Sequence, residues 1–150
     1  MSNTYNVYKD VNILIVDDDQ VDVRAIKRGL EKQKVANPVF TARDGVEALE
    51  MLRGQGGKEK LARPYLIMLD LNMPRMNGIE FLKELRDDPA LTDSIVFVLT
   101  TSASEEDQAS AYKEHIAGYL LKSEAGENFL KVVKMIEAFV VVVRFPAEHG

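Results

Sequence analysis

Residues 65–70 read Tyr65-Leu66-Ile67-Met68-Leu69-Asp70. Five apolar residues in a row, closed by one acid, are too short for a helix of ordinary length. They lack the alternation of a strand with one wet face. Such a run fits a central strand of a parallel sheet covered on both sides. The residues that follow, Leu71-Asn72-Met73-Pro74, break the run and turn the chain.

Working outward, four more apolar segments recur: Val11–Val16, Pro38–Ala42, Ile95–Leu99 and Gly118–Leu121. Helical patterns lie between them. Val23, Ile26 and Leu30 share a face of Gln20–Lys34. Val46, Leu49 and Leu52 do so in Gly45–Arg53, and Ile79, Leu82 and Leu85 in Gly78–Arg86. Ser104–His115 opens on Ser-Glu-Glu-Asp, an N-cap followed by first-turn acids. Glu127–Val143 carries Phe129, Val132, Val133, Ile136 and Val140 on one stripe. Strand and helix alternate five times. Right-handed crossovers then predict an α/β doubly wound fold, (βα)5, with a five-stranded parallel sheet. Gly54–Lys60 is expected to be a mobile polar connector.

The chain has 150 residues, enough for one such unit with little left over. Residues 1–10 read as an N-terminal extension, 11–143 as the domain and 144–150 as a C-terminal tail that includes His149. No segment is left for an output module, so output is expected from another chain. The net charge of −5 argues against nucleic-acid binding and against attachment to anionic lipid. There is no cysteine, which excludes disulfides, thiolate metal sites and thiol nucleophiles. No signal peptide or membrane span is apparent, so the expected location is the cytoplasm. P-loop, zinc-protease and EF-hand patterns are missing.

In an open parallel sheet, ligands bind beyond the carboxyl ends of the strands. The residues there are Asp17-Asp18-Asp19, Asp70, Thr100-Thr101-Ser102 and Lys122-Ser123. Acids crowded at one edge repel unless a cation compensates them, and a hard ion such as Mg²⁺ suits them. The plain alternative for Asp17–Asp19 is helix capping. Asp70 has the chemistry of a nucleophile toward phosphorus. Thr100 offers a hydroxyl and Lys122 an ammonium to a phosphoryl group.

Taken together, Val16-Asp17-Asp18, Leu69-Asp70-Leu71-Asn72-Met73-Pro74 with Asn77-Gly78, Leu99-Thr100, and Gly118-Tyr119-Leu120-Leu121-Lys122 resemble the motifs of two-component response-regulator receiver domains. The resemblance runs from about Val11 to about Val143. It implies a flavodoxin-like fold and Mg²⁺-dependent phosphorylation of Asp70 by a histidine kinase. Asp18, Asp70 and the Asn72 main-chain carbonyl would be metal ligands, with Asp17 acting through a metal-bound water. Thr100 would be the switch hydroxyl, Lys122 the phosphate-pairing lysine and Tyr119 the aromatic switch. Asn72 and Ser102 would tune the phosphoryl lifetime.

Val-Asp-Asp-Asp, Leu-Thr-Thr-Ser and Lys-Ser look most like the single-domain regulators that partner bacterial phytochromes. Ser123 departs from the usual proline, which leaves the geometry of the Lys122–Ser123 peptide open. Thr101 departs from the frequent alanine. The chain is expected to accept a phosphoryl group and lose it slowly, without enzymatic turnover, and to signal to an unidentified downstream protein. A phosphorylation-independent scaffold and a haloacid-dehalogenase-like phosphatase are the rival readings. Asn72 stands where that phosphatase would need an acid. The apolar surplus in the last helix suggests a homodimer through Phe139, Val140, Val143 and Phe145.

Overall fold

The computed structural model describes residues 11–146. The strands are β1 (Asn12–Val16), β2 (Val39–Ala42), β3 (Tyr65–Leu69), β4 (Ile95–Thr100) and β5 (Gly118–Leu121), all parallel, in the order β2-β1-β3-β4-β5. The helices are α1 (Gln20–Lys32), α2 (Gly45–Arg53), α3 (Gly78–Asp87), α4 (Glu105–Lys113) and α5 (Leu130–Val142). This is the flavodoxin-like order, whose switch point lies between β1 and β3. Every residue of β3 is buried, because alternate side chains enter two separate cores. Ile67 and Leu69 meet Phe81, Leu82 and Leu85 of α3, while Leu66 and Met68 meet Ile26, Leu30, Val133 and Ile136 of α1 and α5. A continuous apolar run is what two covered faces require.

Local chemistry sets the helix ends. Asp19, Asp44, Asn77 and Ser104 cap α1 to α4, each accepting from first-turn amides. Asn77 and Glu80 complete a reciprocal capping box. The last helix differs from the expected Glu127–Val143. Glu127–Phe129 forms a 3-10 turn, in which Asn128 and Phe129 take left-handed backbone at φ 53° and 58°. Phe129 therefore precedes α5 instead of lying on its stripe. Similarly, α1 stops at Lys32, and His115 lies beyond α4 at φ 60°. The expected N-terminal extension and His149 fall outside the described residues.

Among the described residues only Arg63–Pro64 is cis, so Lys122–Ser123 is trans. The connector after α2 is tied down at several points. Lys58 donates to Glu50 at 2.9 Å, and the Leu61 amide donates to the Met51 carbonyl at 2.8 Å.

Two contacts position the loops at the functional edge and the helix beside them. The partly buried Arg86 guanidinium donates to the carbonyls of Glu114, Thr92, Ser94 and His115, anchoring the carboxyl end of α4. Gly78 lies directly against the chain after β3. A Cβ there would meet the Asp70 carbonyl oxygen at 2.5 Å and the Leu71 Cα at 2.8 Å. Neither backbone atom can yield without moving the Asp70 loop. Gly78→Ala is therefore expected to destabilise the fold by about 1–3 kcal/mol in urea unfolding. An unchanged midpoint would refute this account of the contact.

Candidate functional site

The carboxyl ends of β1, β3, β4 and β5 bring Asp17, Asp70, Thr100 and Lys122 to one edge. Asp17, Asp70 and Thr100 are buried. The register makes this unavoidable: Val16 pairs with Leu69, Leu69 with Val98, and Thr100 with Leu121. Parallel strands in step deliver their next residues side by side.

Carboxylate oxygens of Asp17, Asp18 and Asp70 lie within 4.8 Å of one another, with Asp18 exposed. This all-oxygen set fits a hard divalent cation. Asp19 does not join it. Its carboxylate caps α1, accepting from the Val21 and Asp22 amides, and those bonds hold its pKa below the usual carboxylate range. The capping alternative thus holds for one member of the triplet and fails for the other two.

The Lys122 ammonium is the positive charge at the centre. It donates to Asp17 Oδ2 at 2.8 Å and to Asp22 Oδ2 at 2.7 Å, and it lies 3.7 Å from Asp70 Oδ2. Burial alone would lower its pKa. The hydrogen bonds to Asp17 and Asp22 and the charge of Asp70 more than offset this and hold it above the ordinary lysine value. Asp17 has the opposite balance. Burial pushes its carboxyl up to about 6, although the hydrogen bond from Lys122 pulls it down; the Asp70 charge pushes the same way as burial. Asp17 Oδ1 accepts from the Asp19 amide at 2.9 Å. Asp70 Oδ1 accepts from the Leu71 amide at 2.8 Å, which leaves Oδ2 as the oxygen facing the lysine.

Thr100 is fully buried, and its Oγ1 accepts a long 3.4 Å hydrogen bond from the Ser102 amide. Ser102 Oγ donates to Asp107 of α4 at 2.6 Å, and the Tyr119 hydroxyl donates to the Ser102 carbonyl at 2.8 Å. Burial pushes the Tyr119 phenol up, which keeps it a donor. The segment after β4 is thus tied to both α4 and β5. Asn72 is exposed on the loop after β3.

Three participants escaped the sequence reading. Asp22 had no signal beyond being a first-turn acid. Asp107 was read only as a first-turn acid as well. Arg75 makes a two-point pair with the Asp44 carboxylate at 2.8 and 3.1 Å, joining the loop after β3 to the start of α2. Nothing in the spacing of Asp22 or Arg75 announces contacts between elements so far apart in the chain, and Asp107 reaches Ser102 only because the short turn before α4 folds back.

The residues proposed for a dimer face separate into two groups. Val140 is buried in its own core, and Phe139 stacks edge-on between Phe97 and Phe145. Val143 and Phe145 are half-buried, while the neighbouring Val141 and Val142 are 60% and 73% exposed.

Residues 13–134 match the family described as the response regulator receiver domain. Response regulator Rcp1 of Synechocystis is 38% identical over 136 residues, covering 90% of this chain and 92% of that protein. The crystal structure of the phosphorylated cyanobacterial phytochrome response regulator RcpA superposes with a TM-score of 0.83 at 37% identity, covering 92% of this chain and 99% of that one. The Mn²⁺-bound form of Rcp1 superposes with a TM-score of 0.81 at 38% identity, covering 91% and 99%.

Removing the central charge should expose the repulsion it suppresses. Lys122→Met in chelator is expected to cost about 3 kcal/mol of stability near neutral pH, as for other buried pairs that lose one partner. A carboxyl whose pKa is raised by folding favours the folded state with its proton on. The loss should therefore shrink as pH falls from about 7 toward about 5. Millimolar divalent cation should recover most of it. A loss indifferent to both pH and cation in urea unfolding would contradict this electrostatic account.

Proposed function

The chain belongs to the response regulator receiver family, and on that footing we propose that Asp70 accepts a phosphoryl group from the phosphohistidine of a partner kinase. The observation that carries this reading is the Lys122 ammonium, within ion-pair distance of both Asp17 and Asp70, with Thr100 buried at the adjoining strand end. Asp70 Oδ2 attacks phosphorus. The new P–O bond forms as the P–N bond breaks, and the departing ring nitrogen keeps the electron pair and takes up a proton. Lys122 pairs with the phosphoryl oxygens as a compact point charge. The Thr100 hydroxyl donates to another of them.

Mg²⁺ would be held by Asp18, Asp70 and the main-chain carbonyl of Asn72, with Asp17 reaching it through water. When bound, it offsets the negative charge gathered on the transferring group. Loss of the phosphoryl group is attack by water on phosphorus, which releases phosphate and restores the Asp70 carboxylate. Asn72 and Ser102 flank this step and set its rate. The protein turns over no substrate of its own.

Movement of Thr100 toward the phosphoryl group changes the space beside Tyr119. It also disturbs the Ser102 contacts to Asp107 and Tyr119. The output is thus a population shift between two packings of α4 and β5. A downstream protein in the cytoplasm binds one packing better than the other. The likeness to RcpA and Rcp1 supports a phytochrome-type kinase as the phosphoryl source. The exposed Val141 and Val142, flanked by Val143 and Phe145, support a homodimer through the end of α5.

Incubation with acetyl phosphate and Mg²⁺, followed by intact mass measurement, should show one added phosphoryl group on the wild type and none on Asp70→Asn. No gain with the cation bound would favour a phosphorylation-independent scaffold. Sedimentation at micromolar concentration should give a dimer that Val142→Glu converts to monomer. Monomer throughout, with and without phosphorylation, would remove the dimer from the reading.

A further inference from the structure

The shorter of the two hydrogen bonds from Lys122 goes to Asp22, which stands outside the three-carboxylate cluster. Asp22 is the third residue of α1 and is separated from Lys122 by 100 residues of chain. Its amide and that of Val21 both donate to the Asp19 cap, so its backbone is fixed at the start of the helix. One methylene separates that backbone from the carboxylate, so Asp22 cannot follow the ammonium if it moves.

Asp70 Oδ2, at 3.7 Å, is beyond hydrogen-bonding distance of the same nitrogen. With the Leu71 amide on Oδ1, the acceptor carboxylate keeps Oδ2 free of a donor from Lys122. A phosphoryl group on that oxygen would bring two or so negative charges toward an ammonium already bonded to Asp17 and Asp22. The side chains of Lys122 and Asp22 are 9% and 23% exposed, so solvent screens this competition only in part.

We propose that Asp22 is a positioning residue: it holds Lys122 toward α1 in the resting protein and opposes transfer of the ammonium to a phosphoryl group on Asp70. This rests on the reading of Asp70 as phosphoacceptor. Asp22 thereby sets how strongly the phosphorylated arrangement is favoured, without touching the reacting atoms. Its carboxylate acts twice, by retaining the lysine and by repelling the incoming anion.

The test uses trifluoroberyllate as a phosphoryl analogue, titrated at saturating Mg²⁺ into the whole chain and followed by fluorine NMR. Asp22→Asn keeps the shape and an acceptor oxygen but removes the charge. It should bind the analogue about three- to tenfold more tightly than wild type, the range expected for one partly screened ion pair. Asp22→Ser, a second removal of charge, should shift binding the same way. Asp22→Glu restores the charge and should return affinity to within about twofold of wild type. A purely structural role would lower the melting temperature and leave analogue affinity unmoved, or would leave Asp22→Glu as altered as Asp22→Asn; either result overturns the proposal. Binding by wild type that is lost in Asp70→Asn establishes the acceptor independently. Failure of wild type to bind would overturn the phosphoacceptor reading and this inference with it. Normal wild-type binding with an unshifted Asp22→Asn would overturn this inference alone.

Discussion

One ammonium among carboxylates is the constraint on which this site depends. The strand register forces Asp17 and Asp70 to the same edge, and α1 adds Asp22 beside them. Three acids this close would drive one another toward protonation. Lys122, arriving from the other side of the sheet at the end of β5, reaches Asp17 and Asp22 with hydrogen bonds and Asp70 at ion-pair distance. The edge is thereby kept charged and compact, yet still short of positive charge. A second cation, or an arriving phosphoryl group, alters a balance that is already close.

The rest of the structure holds that edge still on one side and leaves it yielding on the other. On the β3 side, Gly78 lets α3 press against the Asp70 backbone, and Arg75 ties the same loop to Asp44. On the β4 side, the ties are single hydrogen bonds through Ser102 to Asp107 and Tyr119. Arg86 anchors the far end of α4 by bonding the Glu114 and His115 carbonyls there and the Thr92 and Ser94 carbonyls before β4. A helix anchored at its carboxyl end and lightly tied near its amino end is suited to pivot. Rigid support under Asp70 and loose coupling beyond it are what a switch between two packings needs.

Much of the fold was legible because its signals are local. The run at Tyr65–Leu69 could only be a strand buried on both faces, and Ser104 with the three acids after it marked a helix start. The caps at Asp44 and Asn77 are equally local, each a contact between residues three apart, although only the structure showed them. The end of α5 was legible too, but its beginning was not. Asn128 and Phe129 adopt left-handed backbone, a conformation asparagine often takes but phenylalanine rarely does, so the apolar stripe continues three residues before the helix begins. The apolar surplus of α5 was visible as composition. Which valines face outward was decided by how the helix rests on Phe97 and by the return of Phe145 onto Phe139.

The sequence by itself determined the architecture and the four strand ends that carry the chemistry. Hydrophobic periodicity and capping act over a few residues and do not wait for the tertiary fold. It also determined that acids at those ends need a compensating charge. Only the tertiary structure decided how that charge is shared. Asp19 was turned aside to cap α1, while Asp22 came to hold Lys122 across 100 residues of chain. Ion pairs between distant elements depend on angles and distances set by packing, and no spacing along the chain encodes them.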